Sequence, residues 1–402
     1  MSVDSTQCRK QIDELMSLPQ QMWLLGAGVS KESGMPLMHP LTDRVEAMLE
    51  GDEQTDFRSI RAELPKAAHV EHVLSHIGDL IAIASRSEAK KVTIGKVKRE
   101  LTDLRDLHAR IQQHIRDTMR WGYSPANEGK APKIGSQAKP IVTVDAHCRF
   151  VKAVFNVRRA GLEHRPPVAF FTTNYDTLLE DAIALCRVPA ADGFVGGAMA
   201  FWDPDRREHG FDTPFSLDGG FQARIYKLHG SIDWFVSEED IVVRRREGAG
   251  YPPDEPGRLL MVPQATKYQV TQRDPFARLF AAFRRAISDP NPGLLAICGY
   301  IFGDDHVNEE IERPMKYRSS KLTVLAFVRQ SDDAGNEHAL PAALSRWLQE
   351  APWRERLLVV GSHGVYHGSL ENRYPPAANS LHTWWSFEGL TKLLEQGPEA
   401  AT

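Results

Sequence analysis

The chain has 402 residues, 42% hydrophobic and 25% charged, with 49 Lys and Arg against 53 Asp and Glu for a formal charge of −4. That length suits roughly two to three domains, or one elaborated domain, with the composition of a globular protein in water. No apolar run approaches the ~18 residues of a bilayer span, and the charge balance gives no global basic field to recruit nucleic acid.

Residues 1–13 are polar and lack an apolar signal region. The basic groups Arg206-Arg207, Arg244-Arg245-Arg246 and Arg284-Arg285 read as solvated surface patches. The four cysteines, Cys8, Cys148, Cys186 and Cys298, include no Cys-x-x-Cys pair, which speaks against a four-cysteine zinc site. Such low usage fits a reducing cytoplasm. Cys298 ends an apolar run and reads as a buried small hydrophobe.

In chain order, the first element is the apolar run Met22 to Leu25. It enters Gly26-Ala27-Gly28-Val29-Ser30, followed by Ser33-Gly34-Met35-Pro36. Glycines at such a strand exit permit positive φ and remove the Cβ that blocks a phosphate's approach to the backbone. Free N–H groups at a helix start then face the anion. Val29, Ser30 and Lys31 stand where the usual dinucleotide fingerprint seeks its third glycine.

Helical periodicity follows. Val70, Val73, Leu74, Ile77, Leu80 and Ile81 make one apolar stripe, and Ile94, Val97, Leu101, Leu104, Leu107, Ile111 and Ile115 another. Residues 45–165 read as a helical insertion, with a loop near Gly122–Pro140. Strand signals resume at 168–173, 223–228, 294–298, 322–328 and 357–360, alternating with helical segments. Continuous apolar strands alternating with helices predict a parallel sheet covered on both faces. Segments 188–222 and 236–275 read as irregular or hairpin excursions. The expected fold is α/β, a Rossmann-like parallel sheet with helices on both faces and a large helical insertion. Residues 1–45 form its first strand, loop and helix, 46–165 the insertion, and 166–402 the remainder with a C-terminal strand–helix extension.

Ligands of open α/β sheets sit beyond the carboxyl ends of the strands. Four polar clusters fall there: Gly26–Pro36, Thr172-Thr173-Asn174-Tyr175-Asp176, His229-Gly230-Ser231, and Gly299-Tyr300. Each has a plain structural reading. Asn174 and Asp176 are able to cap the helix that begins near Leu178, and for Asp176 alone the cap is the better reading. A lone histidine such as His229 is more often bonded to a carbonyl in a core, and Gly299 serves equally as a turn glycine. Their joint occurrence, each at a strand end, points instead to one site.

Together these clusters resemble the sirtuin family, over about residues 20–330. The resemblance implies that Gly26, Ala27, Gly28 and Ser30, with Ser33, Gly34 and Pro36, hold the pyrophosphate and ribose of NAD. Asn174 and Asp176 match the family's Gln-Asn-x-Asp, with Thr173 replacing the glutamine. His229-Gly230 match the catalytic His-Gly, and Gly299-Tyr300 the later ribose loop, with Ile301 where a serine is often found. Two departures matter. The interval 230–298 holds only Cys298, so the zinc ribbon of the family's protein deacylases is missing, and Leu37-Met38-His39 replace Asp-Phe-Arg after the first loop.

The chain is therefore similar to zinc-free, sirtuin-like NAD-consuming effectors of bacterial antiviral defence. Gly299–Asn308 resembles the members paired with a HerA-type hexameric ATPase. The implied chemistry is cleavage of the nicotinamide–ribose bond of NAD⁺ by water, with catalytic roles for Asn174, His229 and Asp176 and no zinc. Asn174 offers a donor and an acceptor to a ribose hydroxyl and a water. His229 accepts a proton near neutral pH. Asp176 either bonds the nicotinamide amide or orients its neighbours. ADP-ribosyl transfer, a non-catalytic NAD or ADP-ribose sensor, and a scaffold subunit for an ATPase stay open beside hydrolysis. The expected setting is cytoplasmic and away from membranes, as a homo-oligomer docked on that ATPase. Whether the chain itself touches nucleic acid is left open.

Overall fold

A computed structural model describes residues 5–127, 129–161, 166–205, 221–237, 241–246, 258–261, 274–289, 291, 293–333, 336–350, 352–371, 374 and 382–397. The Arg206-Arg207 pair lies outside these residues. The architecture is α/β. Its main sheet has eight strands: β1 (Gln21–Leu25), β2 (Val168–Thr172), β3 (Ala190–Ala191), β4 (Ala223–Lys227), β5 (Leu294–Cys298), β6 (Thr323–Val328), β7 (Leu357–Gly361) and β8 (Val365–His367). In space they run β8-β7-β6-β5-β1-β2-β4-β3. Every neighbouring pair is parallel except β7 and β8.

β1 and β5 are buried at every position, as expected of strands covered on both sides. Alternate residues feed two cores. On one face Met22, Leu24, Leu295 and Ile297 pack with Phe276, Phe283, Ile311 and Trp347 from helices Phe276–Ile287, Asp305–Met315 and Ala342–Gln349. On the other, Trp23, Leu25, Ala296 and Cys298 pack with Ile12, Phe150, Ile183 and Leu390 from helices Ser5–Met16, Asp145–Lys152, Leu178–Leu185 and Phe387–Gln396. Burial pushes the Cys298 thiol up to about 12, so it stays a neutral apolar group.

β1 is the pivot of the topology. The chain leaves it for β2 on one side and returns to β5 on the other. Ligands bind such sheets at this switch point, outside the carboxyl ends.

Two features differ from the sequence reading. The stripe from Ile94 to Ile115 is not one helix. Lys91–Ile94 and Val97–Glu100 pair as a hairpin turning at Gly95-Lys96, with Gly95 at φ 56°. β-branched Val92, Thr93, Ile94 and Val97 around a glycine favour that hairpin. The helix starts at Leu101 and runs to Trp121, opened by the Glu100 N–H donating to Asp103 Oδ2 at 3.0 Å.

The excursions also contain a second sheet, antiparallel, in the order 258–261, 230–236, 242–245, 199–202, 194–196. Its strands are short and polar-mixed, so period-two alternation was too weak to announce it. There the arginines are not a solvated patch. Arg244 pairs with Asp192 and covers the Phe194 ring at 5.1 Å, and Arg246 lies 3.1 Å from buried Asp233. Carboxylates from neighbouring elements take up the charge. Arg284 likewise forks onto Glu310.

Helices Met38–Met48, Gly51–Glu63, Val70–Arg86 and Leu101–Trp121 share a third core that includes Val45, Phe57, Leu74, Leu107 and Ile115. Tyr175 and Leu178 from beyond β2, and Ile232 and Phe235 from beyond β4, belong to this same core. The helical layer therefore packs directly onto loops at the carboxyl edge of the sheet.

Candidate active site

The four predicted clusters leave β1, β2, β4 and β5, four strands adjacent in the sheet, at the same edge. After β1 the chain forms a 3-10 helix, Ala27–Ser33, closed by Gly34 at φ 90°. A left-handed residue ends such a turn, and an added Cβ there would come within 2.8 Å of the Ile141 carbonyl oxygen.

The first glycines have a reason beyond phosphate approach. A Cβ on Gly26 would lie 2.5 Å from the Gly299 oxygen, and one on Gly28 would lie 2.7 Å from the Gly299 Cα. Two exit loops are pressed backbone to backbone. The Gly26 N–H donates to Cys298 O at 3.0 Å and the Gly28 N–H to Gly299 O at 2.9 Å. These two amides are thus engaged by the protein, and an anion would be met by others of the loop.

Ser30 joins the first and second loops. Asn174 Nδ2 donates to Ser30 Oγ at 3.0 Å, and Ser30 Oγ donates to Asp176 Oδ2 at 2.8 Å. Asp176 Oδ1 accepts the Leu178 N–H at 3.0 Å. Asp176 therefore does cap its helix, with one oxygen, while the other orients Ser30. Thr172 Oγ1 accepts the Asn174 N–H at 3.0 Å and donates to Leu25 O at 3.0 Å, and the Thr173 N–H also reaches Leu25 O, at 3.1 Å. Lys227 at the end of β4 donates to the Asp176 carbonyl and pairs with Glu180 at 3.0 Å. Asn174 is thereby held from three sides, yet its Oδ1 is buried with no hydrogen-bond partner among the described residues. A buried orphan acceptor is costly unless a ligand or water donates to it.

His229 follows β4 and is 5% exposed. Its Nε2 lies 2.8 Å from Asp304 Oδ2, and Asp304 is itself 4% exposed. With the Nε2 proton directed at Asp304, neutral His229 carries its basic lone pair on Nδ1. Asp304 is the residue that the sequence reading missed. It precedes helix Asp305–Met315 and accepts the His306 N–H at 3.2 Å, so by itself it looks like an ordinary cap. Its signal was the position five residues after Gly299, on a loop already assigned to the site. Tyr300 and Asn308 fix it: the Tyr300 hydroxyl lies 3.0 Å from Asp304 O, and Asn308 Nδ2 donates to Phe302 O at 2.8 Å.

Other predicted residues make further packing contacts around this cluster. The Tyr300 ring is buried in the core beside Phe302. The Ser33 hydroxyl lies 3.2 Å from Nδ1 of buried His147. Burial holds His147 down at about 4, against the raising effect of Asp176. Pro36 is buried where the loop enters helix Met38–Met48.

Residues 168–350 match the family model of the SIR2-like domain. This span of the chain is similar to the SIR2-like domain. The matched span holds Asn174, Asp176, His229, Gly299, Tyr300 and Asp304, whereas Gly26–Pro36 precedes it. No curated protein matches the chain. The domain implies a Rossmann-type fold, which the sheet shows, and NAD binding with NAD-dependent activity in general. No helix among the described residues is long and apolar enough to cross a membrane. Nor do three His, Cys, Asp or Glu side chains among them cluster as a metal would require.

Proposed function

We propose that the chain is an NAD⁺ glycohydrolase that releases nicotinamide and ADP-ribose. The observation that carries this reading is Asn174: its amide nitrogen is spent on Ser30, and its buried oxygen awaits a donor. A ribose hydroxyl or a water supplies that donor.

The bond between the ribose carbon and the pyridinium nitrogen breaks with its electron pair going to nicotinamide, which leaves neutral and needs no acid. Positive charge develops on the ribose. Water attacks the same carbon, and its proton passes to the basic nitrogen of His229, which Asp304 orients and whose imidazolium it then stabilises. Asp176 acts through Ser30 rather than by touching the substrate. The close contact of Gly26 and Gly28 with Gly299 fixes the exit loops of β1 and β5 against each other, and the resemblance to sirtuins puts the NAD pyrophosphate on the first of these loops. For Ala27, Ser33, Gly34, Pro36, Thr173 and Tyr300 a cofactor-binding part rests on this resemblance alone.

The interval 230–298 lacks the paired cysteines of a deacylase ribbon, which speaks against an acyl-lysine acceptor and leaves water as the default one. The same resemblance supports the wider role: a cytoplasmic, oligomeric NAD-depleting effector of antiviral defence, working with a HerA-type ATPase. The test is direct. The purified chain, alone and with such an ATPase, is incubated with NAD⁺ and nicotinamide is followed by chromatography. Release that Asn174→Ala and His229→Ala each reduce roughly 10²-fold or more supports the reading. No release under any of these conditions overturns it.

A further inference from the structure

The helical layer meets the candidate site at a buried polar contact that the proposed chemistry does not use. Tyr175 stands between Asn174 and Asp176, and its hydroxyl donates to Glu71 Oε1 at 2.8 Å. Both residues are buried, at 7% and 8% exposure, inside the third core beside Leu41, Leu74, Ile115 and Phe235. Burial first, and then the Glu71 carboxylate, push the Tyr175 phenol well above its ordinary value, so it remains a donor. A buried polar pair of this kind has little advantage in stability over apolar residues of like volume. What it does supply is a fixed geometry.

That geometry closes a ring around the site. Glu71 lies in the first turn of helix Val70–Arg86, where backbone N–H groups favour a carboxylate. The Val70 N–H donates to Thr42 Oγ1 at 2.8 Å, on helix Met38–Met48. That helix continues directly from the loop carrying Ser30, and Ser30 bonds back to Asn174 and Asp176. The Tyr175 carbonyl also accepts the Ile232 N–H at 3.0 Å, three residues beyond His229. Tyr175 is therefore tied to three sides of the site at once.

We infer that Glu71, through Tyr175, is a positioning residue for the site, and that helix Val70–Arg86 sets the placement of Asn174. This inference rests on the NAD-cleavage reading for its activity readout only. A shift of that helix is transmitted to the Asn174 oxygen, where a misplacement of about 1 Å costs on the order of 10²-fold in rate.

The test compares Tyr175→Phe, Glu71→Leu and Glu71→Gln in the full chain. Glu71→Gln keeps an oxygen that accepts from the phenol, so its kcat stays within about threefold of the native protein. Tyr175→Phe and Glu71→Leu each lower kcat roughly 10- to 100-fold with KM within about threefold. Equal kcat in all three, whatever their melting temperatures, overturns the inference, since a purely structural strut changes stability alone. Should Glu71→Leu not fold, Tyr175→Phe against Glu71→Gln carries the comparison.

A second readout separates this inference from the activity itself. Hydrogen exchange at the Asn174 and Leu178 amides quickens in Tyr175→Phe and stays native in Glu71→Gln. Unchanged protection in Tyr175→Phe overturns the inference even if the native protein proves inactive on NAD⁺.

Discussion

Burial of His147 should lower the stability of this protein in mild acid. The side chain is 1% exposed, packed 4.9 Å from the Phe387 ring and bonded to Ser33 on the first site loop. Burial lowers its folded value from 6.5 to about 4. Between those two values the unfolded chain binds a proton that the folded chain refuses, so stability rises with pH across that window. The contribution is whole above the unfolded value and is lost as pH falls toward the folded one. At 1.36 kcal/mol per unit, the 2.5-unit gap amounts to about 3 kcal/mol in the limit. At about pH 5 the expected loss is ~2 kcal/mol, because the unfolded histidine is then almost fully protonated and the folded one hardly at all. The perturbation is His147→Gln, which does not titrate and still offers Ser33 an acceptor. Urea unfolding of both proteins at about pH 7.5 and about pH 5 removes the background of all other groups by difference. The native protein should lose ~2 kcal/mol more than the variant over that interval. Parallel pH dependences for the two proteins would refute the reasoning.

Other consequences follow from the same geometry. Asp304→Asn leaves the loop capped but removes the charge beside His229. It should lower kcat on the order of 10²-fold with little change in KM, measured by nicotinamide release; native turnover would remove Asp304 from the site. Gly28→Ala drives a methyl group to 2.7 Å from the Gly299 Cα, a backbone atom that cannot swing aside. It should cost about 1–3 kcal/mol and lower the melting temperature, whereas an unchanged melt would mean that the two loops are not held together. Metal analysis of the purified protein should find no stoichiometric zinc, because its cysteines are too far apart in sequence for a ribbon, and one tightly bound equivalent would reopen deacylation.

That the four clusters meet at one edge was legible because they follow strand exits, and parallel strands place their exits on one edge whatever their order in the chain. Gly26–Gly28, Asn174, His229 and Gly299 were each weak alone and informative together for that reason. The hairpin at 91–100 was not legible, because Ile94 and Val97 satisfy both a helical stripe and a strand pattern. Gly95 and the capping of Leu101 decide between them locally. The second sheet escaped notice because its strands are three to seven residues long, too short for a period to register.

Asp304 and Glu71 mark the limit of what the chain order reveals. By itself the sequence determined the class of fold, the parallel core strands and the four loops, since burial and backbone freedom leave local patterns of apolar runs and glycines. Pairing of charged and polar side chains leaves no such pattern. Asp304 lies 75 positions beyond His229 and Tyr175 lies 104 beyond Glu71, yet both pairs sit at 2.8 Å. Only the tertiary structure decided that the first of these carboxylates meets the histidine and that the second ties the helical layer to Tyr175. A hydrogen bond depends on distance and direction in space, and those are set by the packing of whole layers rather than by any local run of residues.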